Sequence, residues 1–414
     1  MTDQHPNDPE LEAAIAMARS MSRRRFLTRS GLALGGLAMG PQLLAACSSS
    51  KGTSTSSATS VVSGNGDKLV KISNWDAYID QVNGSETAKG TTIYNFQKAT
   101  GIQVIYKKDY NDNNEYFNKV FEPNLGRGKP IYPDIAVPTY WMAARLIGLN
   151  QPAPWVQPLP LDQIPNHKNL VTEYTKLPWD LGAKHQMPWQ AGITGIAYDP
   201  KKTGFEIKSF NDIFDPRLQG KVGFLTELHD SVGLTMLGMG LDPSKPDFEG
   251  ANKALDKIDA AKKAGKILKF TGNEYLRSLQ NGDFLACLAW SGDIVQLNRD
   301  SPGFKFVIPE EGGMSWFDTM IIPNYASNVP AAAKWINYVY DPAHAAQITN
   351  YVQYISPVQG VQDELVKLGG DAAKLAESPI LFPSADVKKR LYVFAPLPDT
   401  QTIALQKRFD AISG

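Results

Sequence analysis

The chain has 414 residues, of which 43% are apolar and 20% charged, and its formal net charge is zero at neutral pH. This length exceeds the roughly 250 to 300 residues at which one hydrophobic core stops growing, so we expect a globular protein of two lobes. The balanced charge leaves no excess of lysine and arginine for a phosphate backbone, which argues against nucleic acid as a partner.

Residues 1–46 have the layout of an export signal. Arg23, Arg24 and Arg25 precede an apolar run rich in glycine and alanine, and two alanines stand before Cys47. This order resembles a twin-arginine signature followed by a bacterial lipobox, which implies export of a folded precursor, cleavage before Cys47 and lipidation of that cysteine. Pro41 interrupts the apolar run, which is shorter than the roughly 20 residues of a membrane span, and this argues against a transmembrane helix.

Residues 47–67 are predicted to form a flexible tether. Serine, threonine and glycine dominate this stretch, so it cannot bury enough apolar surface to offset the entropy lost on ordering. The folded part is therefore expected to begin near Lys68.

From Lys68 onward, short β-type runs alternate with helical ones, which indicates an α/β architecture with helices covering a mostly parallel sheet. In the first half, the predicted strands are LVKIS, IQVIY, DIAVP, QMPWQ and GITGIAYD. Predicted helices end at Gly101 or lie over 114–125 and 139–149. A proline-rich passage over 151–165 is expected to form an ordered surface loop.

The second half repeats this alternation. Its predicted strands are KVGFL, KILKF, FLACLAW and KFVIP. Helices are predicted from about Ser231, from Phe248 to Lys263, and near Tyr275. Cys287 lies within FLACLAW, where an unreactive buried thiol is expected.

Aromatic and acidic residues recur where predicted strands end. Ligands of open α/β sheets collect beyond the carboxyl ends of strands, so these residues are candidates for ligand binding. The candidates in chain order are Trp75, Asp76, Tyr78, Thr139, Trp141, Glu227, Trp290, Asp293, Trp316 and Asp318. Asp230 is either a further ligand or the cap of the next helix.

Rings combined with carboxylates favour a cationic ligand. A ring face attracts a cation by about 0.5 to 2 kcal/mol, and a carboxylate bonded to an ammonium adds roughly 1.5 to 3 kcal/mol. A short alkyl diamine fits this chemistry. Stacking on rings suits a sugar equally well, and a single tryptophan at a strand end is also consistent with simple packing.

The sequence lacks the common catalytic patterns. Its five histidines have no spacing typical of a zinc site, and a Gly-x-Ser-x-Gly elbow does not occur. We therefore expect neither a metal nor a cofactor, and no enzymatic activity. The alternative is a secreted enzyme that uses Glu227 or Asp293 as an acid or base.

Five longer stretches follow one another along the chain: NWDAYI, PDIAVPTYWMAARLI, LAWSGD, VIPEEGGMSWFDTMIIP and YVQYISP. In this order they resemble the extracytoplasmic solute-binding proteins of polyamine ABC importers, the spermidine/putrescine-binding family. The resemblance implies an α/β fold of the type II periplasmic-binding-protein kind, with mixed sheets, flanking helices and a ligand cleft between two lobes. The implied lobes are 68–195 with 316–372, and 196–315 with 373–414.

The resemblance also implies a set of ligand contacts. The residues assigned in this way are Trp75, Tyr78, Thr139, Trp141, Trp290, Trp316, Asp318 and Tyr354. In that assignment Trp290, Trp316 and Tyr78 hold a methylene chain, and Asp318 takes an amine.

The function implied by the resemblance is that of a monomeric, lipid-anchored receptor outside the cytoplasmic membrane, which delivers putrescine or spermidine to an ABC permease. Two departures keep other solutes open. Members of the family often carry an acidic residue where Ala77 stands, and an Asp-Asp-x-x-Glu cluster where this chain has TELHDS. Asp76 and Asp293 are candidates to substitute for these acids, and another organic cation or a sugar stays an alternative ligand.

Overall fold

A computed structural model describes residues 68–414 except Ala77, Asn111 and Asn273. The export signal, the lipidation residue Cys47 and the tether over 47–67 lie outside the described residues. In the part of the chain that is described, no helix combines the length and the apolar character needed to cross a membrane.

The strands of the described residues form one mixed sheet of ten strands. They are β1 (Leu69–Trp75), β2 (Gln103–Tyr110), β3 (Ile135–Ala136), β4 (Gln186–Tyr198), β5 (Val222–Leu225), β6 (Lys269–Thr271), β7 (Ala286–Trp290), β8 (Lys305–Val307), β9 (Gly313–Ile321) and β10 (Leu391–Tyr392). The order is β2-β1-β3-β9-β4-β7-β5-β6, with β8 also paired to β4 and β10 to β9. The pairs β1-β2 and β5-β6 are parallel, whereas β9-β4 and β4-β7 are antiparallel. The expected parallel arrangement is therefore correct for the flanks and wrong for the centre.

Helices cover both flanks of the sheet. The α-helices are α1 (Thr92–Thr100), α2 (Asn113–Tyr116), α3 (Glu122–Leu125), α4 (Tyr140–Gly148), α5 (Pro200–Thr203), α6 (Leu228–Leu237), α7 (Phe248–Lys263), α8 (Tyr275–Asn281), α9 (Ser291–Asp300), α10 (Val329–Val339), α11 (Pro342–Val352), α12 (Val361–Leu368), α13 (Gly370–Ala376), α14 (Ala385–Lys388) and α15 (Asp399–Ser413). The predicted bounds of α7 are confirmed, and Gly101 ends α1 in the left-handed conformation at φ 70°.

Strand β4 runs through both halves of the molecule. The two runs predicted separately, QMPWQ and GITGIAYD, form this single strand of 13 buried residues. Its first part pairs with β9, from Gln186 opposite Ile321 to Thr194 opposite Met314. Its last part pairs with β7, beginning with Thr194 opposite Trp290. Residues near Thr194 therefore lie where the two halves of the sheet meet.

Buried apolar side chains form separate cores on the two sides of this junction. One core draws on residues 196–297 and 394–412, together with Met314. Two others draw on residues 70–191 and 317–376. The separation is that of a two-lobed fold, while the lobe boundaries given from the sequence stay predictions.

Three local expectations are corrected by the structure. Trp316 and Asp318 are expected from the sequence to follow a strand, but they lie within β9, whose pairing partners β3, β4 and β10 are distant in the sequence. The helix expected over 114–125 is interrupted by a π-helical segment at Phe117–Phe121. The proline-rich passage is ordered, yet it also buries Trp155, Val156, Leu159 and Ile164 in the core. Cys287 is buried as predicted, and burial raises the pKa of its thiol.

Candidate functional site

Three aspartate side chains are buried close to the junction of the two halves. Asp230 lies in the first turn of α6, Asp293 in the first turn of α9 and Asp318 within β9, and each is at most 7% exposed. Among the ion pairs of the described residues, none includes any of these three carboxylates. Burying a carboxylate without a cation is strongly unfavourable, so this arrangement is suited to a positively charged partner that comes from outside.

Asp318 accepts one protein hydrogen bond on each carboxylate oxygen. The hydroxyl of Thr139 donates to Oδ1 at 2.7 Å, and the hydroxyl of Tyr78 donates to Oδ2 at 2.7 Å. Asn113 orients Thr139, because its amide group donates to the Thr139 hydroxyl at 2.8 Å. Burial raises the pKa of Asp318 to about 6, against the lowering effect of the two hydroxyl groups, and the charge of Glu227 raises it further.

Asp230 is held in the same manner from both halves of the sheet. The hydroxyl of Thr194 in β4 donates to Oδ1 at 2.8 Å, and the indole N–H of Trp290 donates to Oδ2 at 2.7 Å. Burial raises the pKa of Asp230 to about 7, and the negative charges of Glu227 and Asp318 add to that rise. At neutral pH this carboxyl group is therefore divided between its charged and neutral forms.

Asp293 accepts hydrogen bonds from two phenols. Tyr275 donates to Oδ2 at 2.7 Å and Tyr354 donates to Oδ1 at 2.8 Å, while burial raises the pKa of this carboxyl as well. The oxygen of Tyr275 also accepts the backbone N–H of Trp290 at 3.1 Å. Asp293 is thus linked through Tyr275 to the tryptophan that binds Asp230.

Aromatic rings lie between these carboxylates. The ring centroid of Tyr354 is 5.8 Å from that of Tyr78 and 5.5 Å from that of Trp316. Because the hydroxyls of Tyr354 and Tyr78 bind different aspartates, the two rings bridge the space between Asp293 and Asp318. A site with acids at its ends and rings along its length matches a ligand with charged ends and an apolar middle.

The ring of Trp316 rests directly against the backbone of β4. A Cβ added at Gly192 would lie 2.4 Å from the nearest atom of that ring. Glycine at this position therefore leaves room for the indole to contact the strand while it packs on Tyr354. The indole nitrogen of Trp316 is buried and has no hydrogen-bond partner among the described residues.

Trp75 and Trp141 stand at the edge of the cluster. The indole N–H of Trp75 donates to the backbone oxygen of Val137 at 2.9 Å, and its ring packs on Tyr110 at 5.1 Å. The ring of Trp141 is stacked on His229, with the centroids 4.5 Å apart. One face of Trp141 is thus already covered by protein.

Glu227 and Asp76, two other predicted acids, occupy different surroundings. Glu227 caps α6 and lies 2.7 Å from Nδ1 of His229, and its charge reaches both Asp230 and Asp318. Asp76 is not brought to the cluster, because its side chain is 68% exposed and pairs with Lys108 at 3.3 Å.

Two groups of this cluster, Thr194 and Tyr275, are absent from the sequence candidates, and Asp230 is among them only as either a ligand or a helix cap. The cap hypothesis for Asp230 is wrong, because α6 begins at Leu228 and Glu227 is the residue that caps it. The Glu-x-x-Asp spacing in TELHDS was an available signal, since residues three apart lie on one helix face. Tyr275 follows a strand exit, as the chosen candidates do, whereas Thr194 lies inside a strand and gave no such signal.

The sheet order, the separate cores and the acidic and aromatic site between them define a periplasmic-binding-protein fold of type II. A family model described as bacterial extracellular solute-binding protein matches residues 151–375, more than half of the chain. The chain therefore belongs to the bacterial extracellular solute-binding proteins.

Named relatives agree with this membership, and a solved structure agrees with the fold. The putrescine-binding periplasmic protein SpuD of Pseudomonas aeruginosa is 29% identical over 368 residues, covering 83% of this chain and 92% of SpuD. The putrescine-binding periplasmic protein PotF of Escherichia coli is 29% identical over 347 residues, covering 78% of this chain and 86% of PotF. A putative spermidine/putrescine ABC transporter from Listeria monocytogenes superposes with a TM-score of 0.69 at 24% identity, covering 84% of this chain and 99% of its own.

Proposed function

We propose that this protein binds a small aliphatic polyamine between its two lobes and delivers it to an ABC permease. The observation that carries the proposal is the set of three buried carboxylates, Asp230, Asp293 and Asp318, that form no ion pair among the described residues. The names of SpuD and PotF, both putrescine-binding proteins, support the same ligand class.

The chemistry of a diamine matches the site at three points. Its amines are protonated at neutral pH, as a lysine is with a pKa of about 10.4, so each end requires an anion when it is buried. We infer that one ammonium lies at Asp293 and the other at Asp318, beside Asp230. Between them the methylenes lie against Tyr78, Tyr354 and the neighbouring tryptophans, and each buried methylene contributes ~0.8 kcal/mol.

The residues we propose as ligand contacts combine the sequence candidates with those added by the structure. They are Trp75, Tyr78, Thr139, Trp141, Glu227, Asp230, Trp290, Asp293, Trp316, Asp318 and Tyr354. Trp141 and Glu227 act at the rim, because the first stacks on His229 and the second bonds to it.

Ligand capture requires that the two lobes open and close. We infer that the proposed lobes close on the ligand. Tyr354 packs in one core and Ile294, the neighbour of Asp293, packs in another, so Tyr354 and Asp293 share a contact only when these cores meet. A ligand that neutralises Asp293 and Asp318 together then favours the closed state. The export signal and Cys47 support a location outside the cytoplasmic membrane with a lipid anchor.

Calorimetric titration of the purified protein tests the ligand class. We expect heat of binding for putrescine, cadaverine or spermidine, and none for 1,4-butanediol, which has the carbon chain of putrescine without its charges. Maltose is the matched test for a sugar site. Binding of butanediol or maltose in the absence of diamine binding overturns the proposal, and recovery of the bound diamine unchanged argues against an enzyme.

A further inference from the structure

Gln190 in β4 is a buried polar residue with an unpaired oxygen. Its side chain is 3% exposed, and its Oε1 has no hydrogen-bond partner among the described residues. Buried amide oxygens are nearly always paired, so an unpaired one beside a binding site points to a partner that the protein itself does not supply.

The register of the sheet places Gln190 beside the proposed ligand. Gln190 is paired with Asp318, and Gly192 is paired with Trp316. Residues directly opposite in antiparallel strands leave the sheet on the same face, so the side chain of Gln190 shares the face of Asp318 and Trp316. Thr194, two positions beyond Gly192, presents its hydroxyl to Asp230 from the same strand.

The side chain of Gln190 adds a hydrogen-bond acceptor to those that Asp318 provides for an amine. Each oxygen of Asp318 already accepts a protein hydroxyl, from Thr139 or from Tyr78. A primary ammonium carries three N–H donors that diverge from one nitrogen, and one carboxylate cannot face all three. A neutral carbonyl oxygen next to Asp318 supplies a further acceptor without adding another buried charge.

We propose that Gln190 is a further ligand-binding residue, whose Oε1 accepts an N–H of the ammonium bound at Asp318 and thereby favours primary over N-methylated amines. The inference rests on the proposed polyamine-binding function. N-methylation removes N–H donors while keeping the charge, so it separates the contribution of Gln190 from that of the carboxylates.

Gln190→Leu is the variant that tests this role, and Gln186→Leu is its matched control. Gln186 lies in the same strand, is fully buried and also has unpaired side-chain oxygen and nitrogen atoms, but it stands opposite Ile321 instead of Asp318. We expect Gln190→Leu to weaken putrescine binding about 10-fold in calorimetry, and Gln186→Leu to leave it within about 2-fold.

The selectivity for methylated amines is the second measurement. In the wild type we expect N,N,N′,N′-tetramethylputrescine to bind more weakly than putrescine, and in Gln190→Leu we expect this ratio to shrink at least about 5-fold. Thermal unfolding without ligand should show no loss of stability in Gln190→Leu, since its Oε1 has no protein partner to lose. A merely structural glutamine would instead lower the unfolding temperature and leave the ratio unchanged.

Two results overturn the inference. One is equal putrescine affinity in the wild type and Gln190→Leu, and the other is an unchanged ratio between methylated and primary amines. Gln190→Met serves in the same assays where the leucine variant does not fold. Failure of the wild type to bind any diamine is a different result, because it removes the proposed function itself.

Discussion

The hydroxyl of Tyr354 donates a 2.8 Å hydrogen bond to Oδ1 of Asp293 and so connects two separate cores of the molecule. Tyr354 packs with the core around β1 and α11, whereas the helix that carries Asp293 packs on the other core through Ile294. Gly292 makes this approach possible, because a Cβ at that position would lie 2.8 Å from the Tyr354 ring. In the proposed function, this bond is one of the contacts that form when the two lobes close.

Tyr354→Phe keeps the ring and removes only this hydroxyl. We expect diamine affinity to fall about 10-fold, because Asp293 loses a donor that stabilises its charged form and the closed state loses an interlobe bond. Calorimetric titration with putrescine measures the change. Tyr325→Phe is the control, since Tyr325 is 42% exposed and outside the cluster, and equal losses in the two variants would contradict the assignment.

Asp318→Asn tests the central carboxylate with little change in shape. We expect at least a 10-fold loss of diamine affinity, about 1.4 kcal/mol, because a buried ammonium loses its anionic partner. The unliganded variant should be no less stable than the wild type above pH 7. Burial raises the pKa of Asp318 to about 6, so the ionised carboxylate destabilises the unliganded fold, and asparagine carries no such charge.

Asp76→Asn is the control for Asp318→Asn. The sequence offered Asp76 as a substitute acid, but its exposed side chain pairs with Lys108. We expect its removal to leave diamine affinity within about 2-fold of the wild type. A large loss at Asp76 together with none at Asp318 would place the cation site elsewhere.

The fold could be predicted from the sequence better than the site could. LVKIS is predicted as a strand by its alternation of apolar and polar residues, KVGFL is predicted as a strand in the second half, and the two are found as β1 and β5. The antiparallel centre of the sheet depends on β9 pairing with β3 and β4, contacts that no local pattern reports. The sequence therefore predicts that Trp316 and Asp318 follow a strand, whereas in the structure they lie within one.

Asp76 and Asp230 show why the end of a predicted strand is not sufficient to identify a ligand contact. Asp76 lies next to Trp75 in sequence, but its carboxylate stays on the surface, where it pairs with the distant Lys108. Asp230 shares its helix turn with Glu227, and either could cap the helix until the backbone shows where α6 begins. The contact of Thr194 with Asp230 follows only from the strand register, which places the two residues close together. Such relations are tertiary, so a local pattern cannot contain them.

The raised pKa values of Asp230 and Asp318 predict how pH affects the unliganded protein. Raising the pKa of Asp230 from 3.8 to about 7 corresponds to roughly 4 kcal/mol of destabilisation when the group is ionised in the fold. This destabilisation is complete above about pH 7 and disappears below about pH 4, so these groups make the unliganded protein less stable as the pH rises through that window. Thermal unfolding of the wild type and Asp230→Asn across that window measures it.

Ligand binding should show the opposite pH dependence. A diamine prefers the ionised carboxylates, so we expect its affinity to rise between about pH 5 and pH 8 and protons to be released on binding near pH 6.5. Titrations in buffers of different ionisation enthalpy count these protons. The charge of Glu227 also acts on Asp230, and Glu227 is bonded to His229, so Asp230→Asn is needed to assign the effect. Unchanged proton release in that variant would exclude Asp230 as its source.

Gly192→Ala tests whether the Trp316 ring needs the space that Gly192 leaves free. The added Cβ would lie 2.4 Å from the ring, so the indole must move away from β4, and we expect about 1 to 3 kcal/mol of lost stability together with weaker diamine binding. Gly148→Ala, at the end of α4, is the matched control because nothing lies within 4 Å of its Cβ position. Equal unfolding temperatures and affinities in the two variants would show that Trp316 does not need this position.

The stacking of Trp141 on His229 predicts a contact that holds the two lobes together at the edge of the proposed cleft. Trp141 lies in the first turn of α4 and packs in one core, whereas His229 lies in α6, whose apolar residues pack in the other core. Loss of this contact weakens the closed state without removing any carboxylate. We expect His229→Ala to speed diamine dissociation about 5-fold and to leave association nearly unchanged, as stopped-flow fluorescence would record.

His344→Ala is the matched control for His229→Ala. His344 also stacks on an aromatic ring, that of Tyr338 at 3.7 Å, but both residues lie on one side of the junction. Its loss should leave the dissociation rate unchanged, since this contact does not depend on closure. Small-angle scattering adds a second readout: the liganded His229→Ala protein should be more expanded than the liganded wild type. If both histidine variants release the diamine at the wild-type rate, the stack belongs to the packing of the rim and does not hold the lobes together.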